Sequence, residues 1–262
     1  MIDKRSQILS SILTVKHTVY LSPHYLRITL TGDDVPLFKH TKAGANNKIF
    51  LPSDVDNQVY FDQKKSIRRT YTHRGINIDK KEMVIDFVAH RDSGPASAWA
   101  IQAKPGDKLG VAMKSKTSDL YPKANWYLLV GDATGIPVLA SILESLHPTA
   151  TGIVFIEVLN KEEEIPLSTS ANIQINWIYN DSPGEKFPLV AAVRNAKLPE
   201  IDKISRFGYV AAEFTTIKEV RQYLRKEKGW KQEELHAYAY WKYGKSEELS
   251  TLERQEEKSN NN

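Results

Sequence analysis

Trp126-Tyr127-Leu128-Leu129-Val130-Gly131-Asp132-Ala133-Thr134-Gly135-Ile136-Pro137 is the stretch on which the fold turns. It opens with a short continuous apolar run, the mark of a strand buried on both faces. A turn of small residues follows. A helix then starts near Pro137, where the missing proline N–H does no harm. Val138, Leu139, Ile142, Leu143 and Leu146 give that helix its apolar stripe. Downstream, Ile153 to Leu159, Ile173 to Tyr179, Tyr209 to Ala212 and Leu235 to Trp241 read as further strands. A helix from Thr216 to Lys228 precedes the last of them, with Thr216 and Glu219 at capping-box spacing and Gly229 closing it. Strands alternating with helices predict a parallel sheet of the nucleotide-binding type.

Upstream the grammar changes. Leu26, Ile28 and Leu30 alternate with Arg27, Thr29 and Thr31, the two-residue period of a half-buried strand. Leu13 to Tyr20 is a β-rich run before it, with the turn at Ser22-Pro23-His24 between them. Lys48 to Leu51, Arg69 to Arg74, Met83 to His90 and Lys108 to Met113 continue the series, interrupted by one helix from about Pro95 to Ala103. Short strands at this spacing predict a closed antiparallel barrel. The fold class expected is therefore β then α/β in two domains, a barrel followed by an α/β domain with a parallel sheet. The boundary is placed in the polar stretch Ser115 to Asn125, giving domains 1–118 and 119–248 and a tail 249–262.

Composition narrows the classes. The chain has 262 residues, no cysteine and a formal charge of +4. Disulfides, thiolate catalysis and iron–sulfur clusters are excluded. So weak a net charge argues against nucleic acid as a partner. No apolar run nears the roughly 20 residues of a bilayer span, and Met1-Ile2-Asp3-Lys4-Arg5 lacks a secretory signal's apolar core. A cytoplasmic monomer without stable membrane insertion is expected.

Three stretches carry chemistry. In Arg69-Thr70-Tyr71-Thr72-His73-Arg74 the arginine and tyrosine share a strand face. A guanidinium fork suits a pyrophosphate, and an aromatic ring suits a flavin. A solvated arginine beside a packed tyrosine would read the same way. In the second stretch Asp86 and His90 share a face with Val84 and Val88, and Gly94-Pro95-Ala96-Ser97 then opens a helix. Free N–H groups at a helix start seat phosphates, although Ser97 equally reads as a simple cap. The third, Gly131-Asp132-Ala133-Thr134-Gly135, lies where open α/β sheets bind ligands, yet it lacks the G-x-G-x-x-G fingerprint.

Order and wording together resemble the siderophore-interacting protein family, a branch of the ferredoxin-reductase-like flavoenzymes. The match rests on five segments: Ser22 to Leu30, Arg69 to Arg74, Asp86 to His90 with Gly94 to Ala100, Gly131 to Pro137, and Tyr240-Trp241-Lys242-Tyr243-Gly244. Alanine stands at Ala133 in place of the family's usual acidic residue, and Met113-Lys114-Ser115-Lys116 replaces its Gly-Pro-Arg-Gly turn.

The resemblance implies an FAD-binding barrel, a nicotinamide-binding α/β domain, and reduction of iron held in a siderophore. FAD would be held by Arg69, Thr70, Tyr71, Thr72, Asp86, Phe87, Val88, His90, Gly94, Ala96 and Ser97. Thr134 would sit between flavin and nicotinamide, and Gly131, Asp132 and Glu213 would meet the nicotinamide nucleotide. Tyr71, Thr72 and Thr134 flank the flavin, no residue is needed as a general acid or base, and no protein metal site is expected. Ferric siderophores of the catecholate type are anionic, so Lys48, Lys114, Lys116 and Lys242 are candidate contacts, with Trp241 as an apolar wall. If the ribose lies past Leu159, then Glu162, Glu163 and Glu164 favour NADH over NADPH. Two alternatives stay open: a reductase feeding a ferredoxin, flavodoxin or quinone, and a non-catalytic siderophore carrier.

Overall fold

The computed structural model describes residues 7–89, 94–115, 119–200 and 204–245. The chain divides into two compact units, Met1–Leu120 with Ala140–Ile142, and Tyr121–Leu139 with Leu143–Asn262.

The first unit is a closed antiparallel barrel of six strands in the order β1-β2-β5-β4-β3-β6. The strands are β1 (Ile8–Ser22), β2 (Tyr25–Thr31), β3 (Asn46–Phe50), β4 (Arg68–Asn77), β5 (Glu82–Val88) and β6 (Lys108–Lys114). Leu13, Leu26, Ile28, Leu30, Ile49, Met83, Ile85, Phe87 and Leu109 fill its interior. β1 begins five residues before the expected Leu13, because its first half pairs with β6 and its second with β2. β5 ends at Val88, short of the expected His90. A single helix, α1 (Pro95–Gln102), follows β5.

The second unit is built on a five-stranded parallel sheet, order β11-β10-β7-β8-β9. Its strands are β7 (Trp126–Asp132), β8 (Thr151–Val158), β9 (Asn172–Tyr179), β10 (Arg206–Glu213) and β11 (Leu235–Trp241). α2 (Ile136–Ser145), α3 (Pro188–Asn195) and α4 (Phe214–Gln222) connect them. Leu128, Val130, Val210, Ala212, Leu189, Val193, Ile217 and Val220 form the core between sheet and helices α3 and α4. Two expectations need correction. α3 was not foreseen, and α4 starts at Phe214 rather than Thr216. The Glu213 side chain caps it by accepting from the Thr215 and Thr216 N–H groups, so no capping box forms at Thr216. The helix widens into a π turn over Tyr223–Glu227 before Gly229 takes φ +64°.

Candidate functional site

In the barrel, β4 carries Arg69 opposite Ile49 and Tyr71 opposite Asn47, on one strand face as the spacing requires. Tyr71 is half-buried and packs on Phe87 at 4.5 Å between ring centroids, and Phe87 in turn meets Trp99 of α1 at 6.0 Å. Three rings thus tie the arginine strand to the helix whose start was read as an anion seat. Phe87 is fully buried in the barrel core, so it backs the Tyr71 ring rather than facing a ligand itself.

At α1, the N-cap Gly94 adopts φ +82°, a conformation open to glycine, and has no side chain to cap the helix. Ala96 and Ser97 lie in its first turn. An arginine fork, a half-buried tyrosine ring and a helix that starts at a glycine fit an extended flavin dinucleotide.

Asp86, expected at the cofactor, has an internal role. Its buried carboxylate takes a bidentate pair from Arg27, at 2.7 and 2.8 Å. The Tyr25 hydroxyl donates to it at 3.3 Å, and Arg74 lies 3.9 Å away. Burial first, and then the Asp86 charge, push the Tyr25 hydroxyl well above its ordinary range. Val88 ends β5 half-buried, and His90 lies outside the described residues.

On the outward face, the Lys48 amine meets the Thr70 hydroxyl. Lys48 pairs with Ala112, which puts Lys114, two residues further along β6, on the same face. Thr72 follows Tyr71 on β4, opposite Asn46, and is buried. Lys116 lies outside the described residues.

In the second unit the strand ends converge on Asp132. One carboxylate oxygen accepts from the Thr134 N–H at 2.9 Å and from the Thr134 hydroxyl. The other accepts from the Glu213 N–H at 2.8 Å and the Trp241 indole N–H at 2.7 Å. Burial raises the Asp132 carboxyl, against the pull of these donors. Gly135 must be glycine, because a Cβ there would run into the Ala211 carbonyl of β10. Glu213 caps α4 with one oxygen and accepts from the Tyr243 N–H with the other, at 3.3 Å. Asp132 and Glu213, two of the three expected nucleotide contacts, therefore hold strand ends in place, and Trp241 is anchored through its indole. Lys242 lies over the Phe214 ring at 4.6 Å.

Sequence reasoning missed Glu157 and Asn180. Glu157 is 7 % exposed, its Oε2 has no hydrogen-bond partner, and burial raises its carboxyl to about 7. Its signal was available: it is the one charged residue in Ile153-Val154-Phe155-Ile156-Glu157-Val158. Past the carboxyl ends of β8 and β9 lies an open cavity of about 540 Å³ lined by Leu159, Tyr179, Asn180, Asp181, Lys186 and Pro188.

An antiparallel barrel followed by a parallel five-stranded sheet defines a class, the proteins of ferredoxin-reductase-like fold. A ferredoxin NADP+ reductase from Neisseria gonorrhoeae shares this fold at TM-score 0.62 and 13% identity, covering 88% of this chain and 98% of that one. Within that class the chain belongs to the siderophore-interacting protein family. The siderophore-interacting FAD-binding domain matches residues 14–113, and the siderophore-interacting protein domain matches 124–244. The ferric vibriobactin reductase ViuB of Vibrio cholerae is 31% identical over 247 residues, 90% of each chain. The siderophore-interacting protein SipS of Aeromonas hydrophila is 30% identical, with TM-score 0.84 over 95% of this chain and 98% of its own. A siderophore utilization protein from T. fusca follows at 27% identity and TM-score 0.82, covering 92% of this chain and 96% of that chain. Among the described residues no helix is long and apolar enough to cross a membrane, and none of their side-chain clusters could hold a metal ion.

Proposed function

We propose that this chain is an FAD-dependent ferric-siderophore reductase driven by a pyridine nucleotide. The observation that carries it is the Arg69–Tyr71 strand joined through Phe87 and Trp99 to the glycine-led start of α1. That arrangement lies in a chain matching a ferric vibriobactin reductase over nine-tenths of both lengths.

The flavin, when bound, supplies the conversion of a two-electron hydride into single electrons, which a ferric ion can accept one at a time. Arg69 and the first amides of α1 would hold its pyrophosphate and Tyr71 would flank its ring, with the buried Thr72 next to Tyr71 on β4. Lys48 and Lys114 draw an anionic ferric chelate to the barrel's outer face. Iron in a hard oxygen cage is held far more weakly as Fe(II), so reduction is release.

NADH is the favoured donor in this reading. Among the described residues Lys186 is the one cation lining the cavity past β8 and β9, and it is paired with Asp181 at 2.8 Å. That leaves a 2′-phosphate without an unpaired lysine there, while Glu162 stands exposed close by in sequence. Glu163 is buried and Glu164 accepts from Tyr179, so repulsion comes from Glu162 rather than from all three.

The test is one spectroscopic titration. Flavin absorption near 450 nm should bleach with anaerobic NADH and return on adding a ferric catecholate. Arg69→Ala should weaken FAD binding about 10- to 100-fold, the loss of one charge-assisted contact. Bleaching that no ferric chelate reverses would leave a reductase for some other acceptor, and a protein that takes up no FAD would end the proposal.

A further inference from the structure

The carboxyl ends of β7, β8 and β10 gather three carboxylates that are not equivalent. Asp132 accepts from Thr134, Glu213 and Trp241, and Glu213 accepts from the N–H groups of Thr215, Thr216 and Tyr243. Each has donors that hold its negative charge. Glu157 stands opposite Asp132 in the β7–β8 register. Its carboxyl shares a hydrogen bond with the Asn180 side chain, and Oε2 is buried with no partner.

Among the described residues no cation acts on Glu157. The charged groups acting on it are Asp132 from β7 and Glu213 from β10, both negative. Asn180, from the end of β9, is neutral. Lys186, beyond it, gives Asn180 only its backbone carbonyl and turns its amine to Asp181. Burial is the largest influence and the two carboxylates add to it, which places Glu157 at about 7.

Resting on the nucleotide-binding reading above, we propose that Glu157 takes up a proton from solvent when a pyridine nucleotide docks at this end of the sheet. The carboxylate becomes a carboxylic acid, and its new hydroxyl gives the buried oxygen a hydrogen to donate. A dinucleotide pyrophosphate brings two negative charges to the carboxyl edge of a parallel sheet. Both oxygens of Asp132 and of Glu213 already accept hydrogen bonds from N–H or O–H donors. Glu157 has an oxygen that nothing stabilises, so the added charge raises its affinity for a proton. Linkage is reciprocal: a nucleotide that raises the proton affinity of Glu157 is itself bound more tightly at lower pH. With one proton coupled, affinity changes at most about tenfold per pH unit.

Calorimetric titration of the FAD-loaded protein with NAD+ at pH 7.5, in phosphate and again in Tris, reads proton uptake directly. The expected result is a buffer-dependent heat corresponding to a fraction of a proton, with affinity falling several-fold between pH 6.5 and 8.5. In Glu157→Gln, which fixes a neutral side chain of the same shape, heats should agree between buffers and affinity should be flat with pH. Native protein that binds NAD+ with equal heats in both buffers overturns the proposal without any variant, and so does uptake that survives in Glu157→Gln. Binding of neither NAD+ nor NADP+ would instead overturn the nucleotide reading itself, a different outcome from binding without uptake.

Discussion

The Trp241 indole N–H donates to the Asp132 carboxylate at 2.7 Å across 109 residues of chain. β10 lies between the two strands involved, and its Glu213 N–H donates to the same oxygen. One buried carboxylate thus fastens the ends of β7, β10 and β11. Trp241→Phe keeps the apolar ring and removes the donor. The expected loss is about 1–3 kcal/mol, read as a lower urea midpoint with an unchanged slope. An unchanged midpoint would mean that the indole hydrogen bond contributes nothing.

Arg27 and Asp86 make the corresponding fastening in the barrel, between β2 and β5. Arg27→Met should destabilise by about 3 kcal/mol, because it leaves the buried carboxylate with only the distant Arg74 and the Tyr25 hydroxyl. Adding Asp86→Asn to that variant should recover part of the loss. Additive losses in the double variant would refute a coupled pair.

His73 sets an acid limit. It is fully buried, neither ring nitrogen has a partner, and burial lowers its pKa from 6.5 to about 4. Below 6.5 the unfolded chain binds a proton that the folded one refuses, so stability falls as pH falls through this window. The full effect is on the order of 3 kcal/mol. Denaturation at pH 7 and pH 4.5 should show it, and His73→Gln should flatten the difference. Equal pH dependence in the variant would assign the acid loss to other groups.

Lys48 and Lys114 share the outward face of β3 and β6. Lys48→Gln with Lys114→Glu should raise KM for an anionic ferric catecholate several-fold and leave reduction of a neutral quinone unchanged. High salt should shrink the gap between native and variant. A parallel fall with both acceptors would point to damage at the flavin instead.

The sequence made the barrel and the parallel sheet readable because each has its own hydrophobic period. It was less informative where burial departs from that period. Ile8 and Ile12 are exposed at 69% and 44% while Ser11 is buried, so the first half of β1 shows no clean alternation. α3 is eight residues long between irregular segments and leaves little periodicity to count. The start of α4 was masked by a better-looking cap at Thr216, and Glu213 takes the position only because its carboxylate is held at the end of β10. Arg69 and Tyr71 were legible since residues two apart on one strand share a face. The roles of Asp86 and Trp241 were not, because their partners lie 59 and 109 residues away.

Thr14 is paired with Thr31 on one side and with Lys108 on the other, the point where β1 passes from one neighbour to the next. During synthesis the hairpin partner β2 is at hand almost at once, but residues 108–114 leave the ribosome only after most of the barrel has been made. Until then the leading half of β1 is a bare ribbon edge, ready to pair with another nascent chain. The barrel is therefore sealed by the last strand of its own unit, and a product cut short before β6 stays open and adhesive. Quality control on this protein is written into the order in which its strands are made.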